Sequence, residues 1–361
     1  MNLFEHLTAS GVPNAAFLER PSGAVDSYAD LQAHTARYAH ALRALGVKPG
    51  DRVAVQVEKS PENLYLYLAT IRAGAVVLPL NTAYTIRELD YFIGDAGPSL
   101  VVCDPLVEEE VCGLVDALDA RVVTLDANGE GSLADIAATR PATFPTVARE
   151  ASDLAAICYT SGTTGRSKGA MLTHGNLASN AATLVELWRF TAADVLIHAL
   201  PIYHVHGLFV ATNVTLMAGA AMIFRPKFDA AEALTLFPRA TALMGVPTFY
   251  TRLLAQGGLT REAVAGMRLF ISGSAPLLAE THVEWSARTG TAILERYGMT
   301  ETGMNTSNPY DGERVAGTVG PPLPDVALRV ADPETGAPLA DGEIGMIEVK
   351  GPNVFAGYWN M

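Results

Sequence analysis

From about residue 31 to residue 302, short apolar runs alternate with longer stretches whose apolar residues recur at helical spacing. Strands separated by helices can bury themselves only in a mostly parallel sheet with helices on its faces, so this pattern predicts an α/β fold packed in layers. Residues 31–45 have helical spacing, Val47-Lys48-Pro49-Gly50-Asp51 stops them, and 52–57 reads as a strand. Helices follow at 63–73 and 86–94, with strands at 75–80, 99–103 and 121–125. These elements form a first lobe, 1–142, and the polar stretch 143–153 reads as a linker. A second lobe, 154–313, opens on an apolar strand at 154–159. It continues with helices at 174–190, 248–256 and 279–289 and strands at 221–224 and 267–272. From 314 to 361 glycine and proline recur, and 327–331 and 344–350 alternate like antiparallel strands, which predicts a small β-rich, barrel-like piece.

Charge narrows the partners. The 361 residues carry a net charge of −13, which gives no electrostatic footprint for nucleic acid or anionic lipid. A phosphorylated ligand would need a local site. The uncharged stretch 207–224 approaches the length of a membrane span, but Asn213 and Gly219 interrupt it, and it reads as a buried helix followed by a buried strand. Cys103, Cys112 and Cys158 have neither C-x-x-C spacing nor an even count, so reduced thiols are expected. The N-terminal MNLFEHL has no basic n-region or apolar h-region, and the expected location is cytoplasmic.

The densest candidate for chemistry is YTSGTTGRSKGAML, residues 159–172, directly after the strand at 154–159. Glycines let a backbone approach an anion, while hydroxyls and a lysine add donors. It is not a Walker A loop, because Lys168 is followed by Gly169 and not by a hydroxyl residue. Taken alone, such a stretch is also compatible with a plain polar connection.

Four further stretches agree with it in order: Leu200-Pro201-Ile202-Tyr203-His204-Val205-His206-Gly207, Ile271-Ser272-Gly273-Ser274-Ala275-Pro276-Leu277, Glu295-Arg296-Tyr297-Gly298-Met299-Thr300-Glu301, and the later Gly320-Pro321-Pro322 with Gly357-Tyr358-Trp359. In this order the chain resembles the adenylate-forming superfamily of acyl-CoA synthetases, firefly-type luciferases and peptide-synthetase adenylation domains. Ser167 departs from it mildly, where many members have proline. The resemblance implies the N-terminal large domain of that fold. It also implies ATP, Mg2+ and coenzyme A as ligands, with a carboxylate attacking the α-phosphate and the thiol then displacing AMP. Thr160, Ser161, Gly162, Thr163, Thr164, Gly165 and Lys168 would hold the β- and γ-phosphates. Glu301 would bind magnesium and Thr300 the α-phosphate. Tyr297 would stack on adenine, with Gly273, Ser274, Ala275 and Pro276 on its other side and Glu295, Arg296, Gly298 and Met299 completing the nucleotide site. His204 and His206 would lie beside the acyl carboxylate. Their H-x-H spacing without a nearby Cys or carboxylate argues against a metal pair.

Arg296 bears on the acid. A fatty or aryl acid pocket has no use for a permanent buried cation, whereas a dicarboxylate could pair its distal group with guanidinium. ERYGMTE and SGSAPL together resemble the malonyl-CoA and methylmalonyl-CoA synthetases, which implies that Arg252, Ser274 and Arg296 hold the distal carboxylate of malonate or methylmalonate. Structural ion pairs of these arginines with Glu295 or Glu301 are the alternative. Two other readings stay open: a synthetase for another short acid or an adenylation domain loading a carrier protein, and a nucleotide-binding module without catalysis. Family members continue past the final GYWNM into a small domain bearing a catalytic lysine, so a truncated chain with impaired ligation is expected.

Overall fold

The computed structural model describes residues 1–116, 118–160 and 166–361. Its strands are numbered in chain order. β1 (Ala16–Glu19) and β2 (Val25–Ser27) open the chain, followed by β3 (Arg52–Gln56), β4 (Val76–Pro79), β5 (Leu100–Cys103) and β6 (Arg121–Thr124). Next come β7 (Leu154–Thr160) and β8 (Lys168–Thr173). β9 (Val195–His198), β10 (Ala221–Phe224), β11 (Ala242–Gly245) and β12 (Leu269–Ser272) are each four residues long. β13 (Leu294–Met299), β14 (Gly303–Ser307), β15 (Ala327–Ala331) and β16 (Met346–Lys350) complete the set.

A six-stranded sheet has the order β6-β5-β3-β4-β7-β8, and an eight-stranded sheet the order β14-β13-β12-β11-β9-β10-β1-β2. Pairing is parallel except where hairpins close an edge, at β7–β8, β13–β14 and β1–β2. The α/β class with layered parallel sheets is therefore as expected. The lobe boundary is not. β1 and β2 pair into the sheet built from the second half of the chain, through β1–β10, while β7 and β8 extend the first sheet through β4–β7. Local pattern reveals strands but not their neighbours, so a linear division at 142/154 cuts both sheets.

The helix Pro61–Arg72 begins at an N-cap Ser60 with proline in its first turn, and nearly every residue in it is buried. A helix apolar on all sides must be packed on all sides. Tyr67 links it to the second half, donating to Asn213 Oδ1 at 3.0 Å. A single hydrophobic cluster runs through elements of both sheets, from Val53 and Val55 to Leu243 and Ile271. Residues 207–224 form a π-helical turn (His206–Ala211), a short helix and β10, as their pattern predicts. The β-rich piece is the antiparallel pair β15–β16, and it closes no barrel among the described residues. No helix there is long and apolar enough to cross a membrane. Cys103 and Cys158 are buried and unpaired.

Candidate functional site

In parallel sheets the carboxyl ends of the strands point at one edge, and that edge is where ligands collect. β7 ends at Thr160, β9 leads into the segment carrying His204 and His206, β12 ends at the Gly273–Ser274 turn, and β13 runs through Arg296 toward Thr300 and Glu301. Thr160, His204, His206, Ser274, Arg296, Gly298, Met299, Thr300 and Glu301 line one cavity of about 760 Å³.

Pairing of β12 with β13 puts Ser272 opposite Glu295, so the next residue of each strand, Gly273 and Arg296, adjoin. A Cβ on Gly273 would lie 2.4 Å from the Arg296 guanidinium carbon, so only glycine lets the guanidinium rest against that backbone. Ser274 then takes a left-handed conformation, φ 70°. Its Oγ lies 3.2 Å from His206 Nδ1.

Arg296 is 3% exposed, and its Nε and Nη2 have no hydrogen-bond partner among the described residues. Burial pushes its pKa down from the ordinary guanidinium range to about 10. The alternative of an ion pair with Glu295 or Glu301 is not realised among the described residues. Glu295 Oε1 instead accepts from the Gly317 N–H at 3.3 Å. His206 Nε2 is buried and, among the described residues, unpartnered too. Burial, and then repulsion from Arg296, push the His206 pKa well below the usual imidazole range, so its ring is neutral. His204 is exposed at the surface of the cavity lining, and partial desolvation by its neighbours lowers its pKa in the same direction. The site thus holds a buried cation and a buried imidazole nitrogen that lack partners, an arrangement that favours an anionic ligand.

On the lining of the same cavity, Glu301 Oε1 accepts from Tyr358 Oη at 3.0 Å and from Thr160 Oγ1 at 3.4 Å. Among the described residues no bond reaches Glu301 Oε2. Lys168 opens β8 with its Nζ 5.1 Å from the Tyr358 ring centroid. No group of three or more His, Cys, Asp or Glu side chains forms a metal cluster among the described residues. Ala275 and Pro276 are exposed on the turn after β12, and Tyr297 is half-buried on β13. Those three and Gly273 flank the cavity without lining it. Ser161, Gly162, Thr163, Thr164 and Gly165 lie outside the described residues.

Arg252 is not brought to the site. It is exposed, and its guanidinium sits 5.2 Å from the Phe228 ring centroid. The helix Pro247–Leu254 buries Phe249, Tyr250 and Leu253, which turns position 252 outward. Conversely, sequence reasoning missed Tyr358 as a site residue, although it falls in the Gly357-Tyr358-Trp359 marker. It also missed the apolar lining from Val205, Val246 and Met304. Val205 lies inside the quoted 200–207 stretch, between the two histidines, whereas Val246 and Met304 belong to no quoted motif and carry no local signal.

The AMP-binding enzyme family profile matches residues 7–359. Mouse mitochondrial malonate–CoA ligase is 34% identical over 357 residues, covering 88% of this chain and 60% of its own length. A feruloyl-CoA synthase from Amycolatopsis sp is also 34% identical, over 345 residues, covering 94% of this chain and 68% of its own. The ATP-bound crystal structure of MatB from Rhodopseudomonas palustris is 63% identical, with a TM-score of 0.98, over 100% of this chain and 72% of that one. The chain therefore spans three fifths to under three quarters of the length of these relatives.

Proposed function

The chain belongs to the AMP-binding enzyme family, and from that premise we propose that it serves an ATP-dependent acid–CoA ligase acting on malonate or methylmalonate. Family membership alone leaves the acid open, since relatives of equal identity are named for malonate and for ferulate. The observation that carries the choice is Arg296, a buried guanidinium at a cavity of about 760 Å³, with two nitrogens that have no partner among the described residues. One carboxylate of the substrate faces Arg296 and the His206 Nε2–H, a tautomer consistent with Ser274 Oγ donating to Nδ1. The other carboxylate points toward Thr300, where its oxygen attacks the α-phosphorus of ATP. The bond from that phosphorus to the β-phosphate oxygen breaks and pyrophosphate leaves. The thiolate of coenzyme A then attacks the acyl carbon and AMP departs. Positioning and charge stabilisation supply most of this catalysis.

Thr160, Ser161, Gly162, Thr163, Thr164, Gly165 and Lys168 hold the triphosphate, and Gly273, Ala275, Pro276 and Tyr297 enclose the adenine in this reading. Glu301 fits a magnesium ion. It is a carboxylate at the cavity whose Oε1 is oriented by two hydroxyls, while Oε2 is unengaged among the described residues. Bound magnesium offsets charge on the phosphates.

Calorimetric titration of the chain with malonate, methylmalonate, acetate and ferulate, in the presence of ATP and magnesium, tests the acid. Binding of the two dicarboxylates and neither monocarboxylate is expected. Preference for acetate or ferulate would overturn the reading.

A further inference from the structure

Lys59 lies in the turn between β3 and the helix Pro61–Arg72 and is buried, with no carboxylate in ion-pair range among the described residues. Its Nζ donates to the backbone oxygen of His198 at 2.8 Å and lies 3.0 Å from His198 Nδ1. Its third side faces the Phe224 ring, 4.3 Å from the centroid. His198 closes β9 and is fully buried. Its Nε2 lies 2.9 Å from the Gly207 carbonyl oxygen and 3.1 Å from Thr212 Oγ1.

These contacts fix the direction of every bond. A carbonyl only accepts, so His198 Nε2 carries the proton and donates to Gly207. Burial and the neighbouring Lys59 hold the ring neutral, so Nδ1 is an acceptor and Lys59 donates to it. The Gly207 oxygen also accepts from Thr212 Oγ1 at 3.0 Å and from the Thr212 backbone N–H, five residues on. That carbonyl is therefore shared among three donors where the helix is π-wound, over His206–Ala211. Gly207 follows His206 directly, and both line the cavity.

The geometry points to Lys59 and His198 as positioning residues: a buried donor relay, Lys59 to His198 to the Gly207 carbonyl, that holds the π-turn and aims His206 at the distal carboxylate of the substrate. This rests on the malonate reading above. Neither residue touches substrate. The relay joins the carboxyl end of β3 in one sheet to that of β9 in the other, so it also sets the acyl pocket against the first sheet.

Four variants test it: Lys59→Met, His198→Leu, and His198→Gln as rescue, each compared with Lys59→Arg. Glutamine keeps the order of donors, accepting from Lys59 through Oε1 and donating to Gly207 through Nε2. Malonate affinity, measured by calorimetry with ATP present, is expected to fall about tenfold or more in Lys59→Met and His198→Leu, the scale of a buried group left unsatisfied. It should stay within about threefold of the parent in His198→Gln, because one donor and one acceptor are conserved. ATP affinity should be unchanged in all four, which shows that the fold is retained. Nitrogen-15 imidazole spectra of the parent chain should show His198 protonated at Nε2 alone from pH 6 to 8. Unchanged malonate affinity in both Lys59→Met and His198→Leu, a proton at Nδ1 in the parent, or failure of His198→Gln to restore what His198→Leu loses would each overturn the relay. If the parent binds ATP but not malonate, the substrate reading fails, and the imidazole spectra of the parent and Lys59→Met still decide the relay.

Discussion

Arg296 sets stability against recognition within one residue. Its charged form is disfavoured by burial, with the pKa held at about 10, well below the ordinary guanidinium range, and two of its nitrogens lack partners among the described residues. A shift of that size corresponds to roughly 3 kcal/mol of unfavourable burial. Replacing an unpaired buried charge by an apolar side chain of similar volume removes that cost. Arg296→Met is therefore expected to raise unfolding stability by about 1–3 kcal/mol in urea denaturation, while abolishing detectable malonate binding and leaving ATP affinity near that of the parent. Lower stability in the variant, or retained malonate binding, contradicts the role given to Arg296. Arg296→Lys should also bind malonate poorly, because a point charge does not reproduce the planar fork.

At the scale of elements, the first helix, Leu3–Thr8, is held by a pH-sensitive contact. Its Leu3 N–H donates to His174 Nδ1 at 3.0 Å, and Asn2 caps it while donating to Ile71 and Val147 carbonyls. Burial, then repulsion from Arg149, push the His174 pKa down to about 4, with Asp153 opposing and the amino terminus adding to the shift. The folded state thus keeps His174 neutral at a pH where the unfolded chain protonates it. Between an unfolded value near ~6.5 and a folded value of about 4 the unfolded state binds more protons, so stability is full above that window and is lost as pH falls through it. At pH 5 this one group is expected to cost about 2 kcal/mol relative to pH 7.5. In His174→Gln, whose Oε1 can still accept from Leu3, the slope of stability between those pH values should be shallower; parallel slopes would exclude His174 as its source. The same scale explains what could be read in advance. The helix at 279–289 and the strand at 221–224 follow from local periodicity, and the stretches around Thr160, His204, Ser274 and Arg296 converge because each follows or ends a strand at its carboxyl end. Arg252 was legible in principle, since Phe249, Tyr250 and Leu253 fix the buried face of its helix. Lys59 was not: its role depends on His198, which lies 139 residues away in sequence, and EKSPEN offers no local mark.

The whole molecule is one exchange of strands. β1 and β2 leave the first half of the chain to pair with β10, and β7 and β8 attach to β4. Further contacts cross the same division, including Tyr28 Oη donating to the Ala220 carbonyl at 2.7 Å and Arg225 pairing with Glu19 at 3.1 Å. Residues 1–153 alone would expose β4 as an unpaired edge and leave β1–β2 as an isolated hairpin, which is marginal in water. Residues 154–361 alone would lose the partner of β7 and of β10, with apolar faces uncovered on both. Neither piece is therefore expected to unfold cooperatively or to give a native near-ultraviolet circular dichroism signal by itself. Refolded together from denaturant they should complement one another and recover both signals, because the interface between them is the interior of two sheets. A cooperative transition in either piece alone would show that the division at 142/154 is a real domain boundary, and that strand exchange adds little to the fold.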